Sequence, residues 1–252
     1  MMKVISDIRL YSSETENIDG NGMPQGDVAR KSILTAGRIA MKLREAEFSL
    51  GDFDHLYLNF TVCLPEGEIR PAGRSVDRYH PWYRYYDVGV SQEQYARLES
   101  EEGLMEAVDA IERTLLRYFA PDQAAEELVR SAVSEAVAQG SSMLMKYKEK
   151  KSAKAKAEIF LRLTDNGQYW PLLRVTDTEG RELLRENLPE RGDFMMLGDI
   201  QVSSKRVTVK PKKNAIASCL ELQPLTFEIG QNAEARGREL HQEAATNEEM
   251  RI

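Results

Sequence analysis

The chain has 252 residues, 42% hydrophobic and 30% charged, with 34 Lys and Arg against 41 Asp and Glu and a formal net charge of −7. That apolar content excludes bulk disorder and suffices for one large core or two ordinary ones. With no run near the ~18 consecutive apolar residues of a membrane span, and no apolar leader over residues 1–7, the chain reads as soluble and cytoplasmic.

Residues 4–11 alternate imperfectly and predict a first strand. A polar loop follows over 12–26, broken by Gly20, Gly22, Pro24 and Gly26. Asp27 is the expected N-cap of a helix reaching Phe48, with Ile33, Ala36, Ala40 and Leu43 on the core stripe and Lys31, Arg38 and Lys42 on the solvated face. Residues 55–63 predict a second strand, stopped by Pro65. After a loop over 66–77, the aromatic segment 79–90 predicts a third strand. Ser91 with Gln94 is a capping-box pair that opens a short helix. Leu104, Val108, Ile111, Leu115 and Tyr118 then step by four and three, the spacing of an amphipathic helix. Pro121 ends that helix and Asp122 restarts another. Its stripe of Ala125, Val129, Ala132, Ala136, Gly140 and Met143 is expected to run on into the lysines at 146–156.

From Ala157 the period changes to two. Ile159, Leu161 and Leu163 alternate, Asp165-Asn166-Gly167 supplies a hairpin turn, and 177–180 supplies a second. Further strand runs fall at 194–202, 207–209 and 218–229. The reading is therefore an α+β protein: an αβ and helical domain over 1–150, an antiparallel β domain over 157–229, and a polar, frayed tail over 230–252.

The motifs for catalysis are thin. Gly20-x-Gly22-x-x-x-Gly26 sits between a strand and a helix, where a dinucleotide fingerprint would lie. Its spacing is off by one, the loop is too long, and Pro24 removes a donor. The three histidines, His55, His80 and His241, form no metal-ligand spacing, and the two cysteines cannot build a zinc site. Cys63 and Cys219 have apolar neighbours and read as buried packing. These features predict no catalytic residues, no cofactor, no metal and no enzyme.

Binding features are stronger. Five of the eight residues at 79–86 are Tyr or Trp, interleaved with His80 and Arg84. Strand alternation puts Trp82, Tyr86 and Val88 on one face and Tyr83, Tyr85 and Asp87 on the other, one of the two being core and the second the candidate surface. Between 93 and 127, ten acidic residues stand against Arg97, Arg113 and Arg117, a local net charge equal to that of the whole chain. Aromatic and Arg anchors beside complementary charge are what a protein-binding surface needs. The expected partner-binding residues are Tyr79, Trp82, Tyr83, Arg84, Tyr85, Glu101, Glu102 and Glu106. The basic cluster Lys205, Arg206, Lys210, Lys212 and Lys213 reads as a charged edge or hairpin that discourages strand pairing, and the lysines at 146–156 as a solvated helix end.

Residues 56–61, Leu-Tyr-Leu-Asn-Phe-Thr, and 82–90, Trp-Tyr-Arg-Tyr-Tyr-Asp-Val-Gly-Val, with acidic helices after them, resemble bacterial immunity proteins of polymorphic-toxin systems. The resemblance spans residues 1–120, leaves the carboxyl half uncovered and transfers no residue roles. It implies a cytoplasmic, non-enzymatic inhibitor that neutralises a cognate toxin with a basic surface. The alternatives are a nucleic-acid-binding or defence-associated scaffold using the lysine clusters, and an enzyme whose site no motif encodes.

Overall fold

A computed structural model describes residues 2–20, 26–76, 78–189 and 196–229. The chain divides into two compact units: everything up to Met145 together with Leu163–Gln168, and Lys146–Arg162 together with everything from Tyr169 onward. Mixed α+β structure, with antiparallel sheets in the carboxyl half, is what the change of period predicts.

The first unit opens with β1 (Lys3–Val4) and β2 (Asp7–Ser13), then α1 (Arg30–Glu45), β3 (Ser49–Gly51), β4 (His55–Thr61), β5 (Ile69–Pro71) and β6 (Tyr83–Gly89). Helices α2 (Gln92–Arg97), α3 (Leu104–Phe119) and α4 (Gln123–Gln139) complete it. β1 pairs with β3, while the main sheet has the order β2-β4-β6-β5. β2, β4 and β6 are parallel and in register, Ile8 beside Leu56 and Leu56 beside Arg84; β5 runs antiparallel along β6.

A parallel strand pair needs a crossover, and α1 supplies the one between β2 and β4. The even-numbered residues Ile8, Leu10, Leu56, Leu58, Phe60, Tyr86 and Val88 form one core with Ile39 and Leu43 of α1, Ile111 and Leu115 of α3, and Val129 and Ala136 of α4. Helices thus cover one face of this sheet. The Ser91 capping box forms as the sequence predicts, with the Gln94 N–H donating to Ser91 Oγ and the Ser91 N–H to Gln94 Oε1. Asp122 caps α4 by accepting from the Ala125 N–H at 2.9 Å.

Several expectations for this unit are corrected. The α1 N-cap is Ala29, and Asp27 contributes a carbonyl that accepts from Ser12 Oγ at 3.3 Å. Ile33 is 44% exposed, whereas Arg38, expected in solvent, is 3% exposed. α1 packs against β2, α3 and α4, and the turn 163–168 covers a further side, so one apolar stripe does not describe its burial. The loop expected at 66–77 contains β5. Cys63 and Cys219 are both exposed rather than packed. Of the glycine motif, Gly22 lies outside the described residues.

The second unit holds β7 (Met145–Lys151), β8 (Ala155–Leu163), β9 (Tyr169–Asp177) and β10 (Glu182–Asn187) in the order β10-β9-β8-β7. A three-stranded sheet follows in the order β11-β12-β13: β11 (Leu197–Val202), β12 (Arg206–Pro211) and β13 (Leu225–Glu228), with α5 (Ala215–Cys219) before the last strand. Ala157, Ile159, Leu173 and Val175 of the first sheet share a core with Leu197, Ile200, Val207 and Val209 of the second. Glu158, buried beside this core, is neutralised by Lys156 and by Arg174 at 2.9 Å.

Three sequence expectations fail here. The lysine stretch is strand β7, not the end of α4. Gly140 takes a φ of +50°, a left-handed conformation that stops the helix, and Tyr147 of β7 packs on the core between outward lysines. Of the edge-or-hairpin reading of the basic cluster the edge fails, since Arg206 and Lys210 lie on β12, the central strand of its sheet, while Lys205 sits in the β11–β12 hairpin turn. Residues 218–229 begin in α5 and become strand only at Leu225. The tail over 230–252, with His241, lies outside the described residues.

Candidate functional site

Successive strand residues point to opposite faces, so the odd positions of β2, β4 and β6 share the face without helices. It carries Arg9 and Tyr11, then His55, Tyr57, Asn59 and Thr61, then Tyr83, Tyr85 and Asp87. At the amino ends of β4 and β6 this face is aromatic and partly open. His80 stacks on Tyr83 with ring centres 4.8 Å apart and planes within 2°. Trp82 packs edge-on against both, at 5.6 Å from His80 and 5.9 Å from Tyr83. His55 meets Tyr83 at 5.1 Å, and Tyr79 stands out with 85% of its surface exposed. The run continues inward as Tyr83 meets Tyr57 at 4.7 Å and Tyr57 meets Tyr85 at 5.0 Å. Tyr11 stacks on Tyr57 at 5.6 Å.

Toward the carboxyl ends of the strands the face becomes polar and closed. Asn59 Nδ2 donates to Asp87 Oδ1 at 2.9 Å, and both residues are buried. Loop residues 14–20 and 72–76 lie over them. Ser75 ties the two loops together, its N–H and Oγ donating to Asp19 at 2.7 and 2.8 Å. The Arg74 guanidinium sits 4.6 Å over the Tyr85 ring and donates to Asn17 Oδ1 at 3.4 Å. Two buried atoms here, Asn59 Oδ1 and Asn17 Nδ2, have no hydrogen-bond partner among the described residues.

Burial pushes the Asp87 carboxyl above the usual range. The hydrogen bond from Asn59, the nearby Asn17 amide and the charge of Arg70 oppose that push, while Glu16 adds to it. A carboxyl raised in this way binds its proton more tightly in the folded chain than in the unfolded one. Between the two pKa values, stability therefore falls as pH rises. Asp87→Asn, which keeps the shape and removes the charge, is expected to raise the melting temperature at pH 7 and flatten its pH dependence above about pH 4. A variant less stable than the parent at neutral pH would show that the carboxylate is favoured where it stands. A buried ionisable group with an upward-shifted pKa, at the carboxyl ends of parallel strands, marks this end of the sheet as a second candidate site.

The structure does not gather the expected binding residues on one surface. Tyr79, Trp82, Tyr83 and Arg84 lie at the amino end of β6. Arg84 is engaged within the fold: it pairs with Asp52 at 2.8 Å and lies 5.1 Å over the Phe53 ring. Tyr85 is 7% exposed, covered by Arg74, and is no surface anchor. Glu101 and Glu102 are exposed but follow the opposite end of β6, where Glu101 accepts from Lys31 at 2.9 Å. Glu106 is half-buried and paired with Arg97 at 2.8 Å. Nor do His80 and Asp87 form one cleft: His80 stacks on Tyr83, and four residues of extended strand, about 13 Å, separate Tyr83 from Asp87.

Sequence reasoning noted His80 in the aromatic segment without counting it among the binding residues, and passed over Asn59, Asn17 and Arg74. The signal for Asn59 was present, as one amide in the otherwise apolar or aromatic run 56–60. Nothing in the sequence marks Asn17 or Arg74, whose roles depend on loops that meet only in the fold. Among the described residues no three His, Cys, Asp or Glu side chains are grouped to hold a metal ion, and no helix is long and apolar enough to cross a membrane. Comparison of the chain with protein-family models, curated proteins and solved structures returned no match.

Proposed function

We propose that the chain is a non-enzymatic protein-binding module that docks its partner on Tyr79, His80, Trp82 and Tyr83. The resemblance to immunity proteins gives the reading its sharper form, a cytoplasmic inhibitor that neutralises a cognate toxin by occupying its surface. The observation that carries it is the interlocked ring group at the amino end of β6: His80, Trp82 and Tyr83 are held against one another while Tyr79 projects into solvent. Rings already fixed lose little freedom on binding, and Trp and Tyr dominate interface energetics. The acidic residues at the far end of β6 act at a distance, speeding encounter with a basic partner rather than touching it.

The test compares the parent with the Tyr79→Ala/Trp82→Ala variant in capture from nuclease-treated lysate, followed by titration of the protein recovered. One stoichiometric partner should bind the parent and lose about thirtyfold in affinity, some 2 kcal/mol, with the variant, while the melting temperature holds. Equal binding by the variant, or recovery of nuclease-sensitive material alone, would overturn the proposal.

A second reading draws on Asp87. A buried carboxyl pushed upward by its surroundings, beside two amides that each keep one unpaired atom, suits chemistry on a small polar substrate at the carboxyl end of the sheet. That reading requires a turnover that Asp87→Asn abolishes without unfolding the protein.

A further inference from the structure

The two halves of the chain carry opposite charge. Residues 1–145 have fifteen Lys and Arg against twenty-four Asp and Glu, net −9, whereas residues 146–229 have sixteen against twelve, net +4. In the second unit part of this excess is neutralised: Glu149 lies within ion-pair distance of Lys146, Lys151 and Lys156. Lys148, Lys150, Lys210, Lys212 and Lys213 have no carboxylate in ion-pair range among the described residues.

Those five lysines border two adjoining clefts. One, of about 830 Å³, lies between the β12–α5 turn and residues 221–224, with Lys210, Lys212 and Lys213 on its wall. The other, of about 750 Å³, runs along β11 beside Lys148 and Lys150. They adjoin where the start of β11 runs antiparallel beside the end of β12, Leu197 opposite Pro211. Gly198 there approaches the Pro211 carbonyl so closely that a Cβ would stand 2.5 Å from it, and the Lys212 N–H donates to the Met196 carbonyl at 2.8 Å. Lys148 reaches the same crossing, its Nζ donating to the carbonyls of Leu197 at 2.7 Å and Gly198 at 3.0 Å. The result is a track across one unit on which five lysines outnumber three carboxylates, Glu149, Asp199 and Glu221.

We infer that this track binds the phosphodiester backbone of single-stranded nucleic acid. Lysine is depleted in protein–protein interfaces, because its strongly hydrated ammonium is costly to bury. A phosphate backbone asks for little more than a row of cations, and the counterions it releases supply the driving force. The inference is independent of the aromatic docking surface, which lies in the other unit and is untouched by the variants below.

The experiment follows fluorescence anisotropy of a labelled single-stranded oligothymidylate against the full chain over a range of salt, with poly-glutamate as competitor. Five neutralised phosphates give log K against log salt a slope near −3.5, at about −0.7 each. The Lys210→Glu/Lys212→Glu/Lys213→Glu variant should bind at least tenfold more weakly at low salt and lose about 2 from that slope. Lys212→Glu/Lys213→Glu, which changes only exposed side chains, should fall between the two. The absence of binding by the parent at about 50 mM salt would overturn the inference, as would equal binding by the variants. Competition by poly-glutamate as effective as by unlabelled oligonucleotide would assign the track to an acidic protein segment instead, and so would also overturn it.

Discussion

Gly89→Ala is expected to abolish soluble folded protein, or to cost more than about 4 kcal/mol in urea unfolding where enough can be recovered. A Cβ at this position would lie 1.9 Å from the Pro65 carbonyl oxygen and 2.8 Å from its carbon, both backbone atoms. Neither the end of β6 nor the turn at Pro65 can yield. The Gly89 N–H donates to the Glu68 carbonyl at 2.8 Å, the Gly89 carbonyl accepts from the Gly67 N–H at 2.9 Å, and the next residue, Val90, donates to Thr61 at 3.0 Å. The constraint is therefore one of space rather than of backbone conformation. Gly180→Ala offers the contrast: its φ of +84° strains an alanine, but open space surrounds the position, so the cost is limited to about 1–2 kcal/mol. Equal losses at the two positions would mean that the chain at Gly89 relaxes, and that the carboxyl end of β6 is less rigid than its bonding implies.

Arg38→Ala should lower stability by about 3 kcal/mol and the melting temperature by about 10 °C. The buried guanidinium donates from Nε and Nη2 to the Leu163 carbonyl at 3.1 and 2.9 Å, and from Nη2 to Asp165 at 2.7 Å. Its removal leaves that carbonyl without its two charged donors and opens a cavity beneath the turn. Most of the effect belongs to the carbonyl, because Asp165 is exposed and water screens its pairing with Arg38. Asp165→Asn should accordingly change the melting temperature little, and Arg38→Lys, which keeps a charge but not the fork, should fall between the two. The contact binds residues 163–168 to the first unit even though they follow β8 in sequence. An Arg38→Ala protein that melts like the parent would show that the turn holds without its charged anchor.

What the sequence determined by itself is what local chemistry decides. The capping box at Ser91 and Gln94, the stop at Pro121 with the restart at Asp122, and the turn at Asp165-Asn166-Gly167 all form within a few residues of the groups that specify them. The change from a period near four to a period of two separates the helical stretch from the antiparallel sheets for the same reason. Tertiary structure decided what depends on partners distant in sequence. Arg38 reads as a solvated residue until a turn 125 residues later closes over it. The lysines at 146–151 read as a helix end until β8 pairs with them and Tyr147 finds a core.

The aromatic segment shows the limit most plainly. Alternation separated Tyr86 and Val88 from Tyr85 and Asp87, but it could not reveal that loops 14–20 and 72–76 cover the second face as well as helices cover the first. Tyr85 and Asp87 are buried while Tyr79 is left in solvent. Periodicity reports which side of a strand a residue is on. Only the packing of segments remote in sequence determines whether that side meets water.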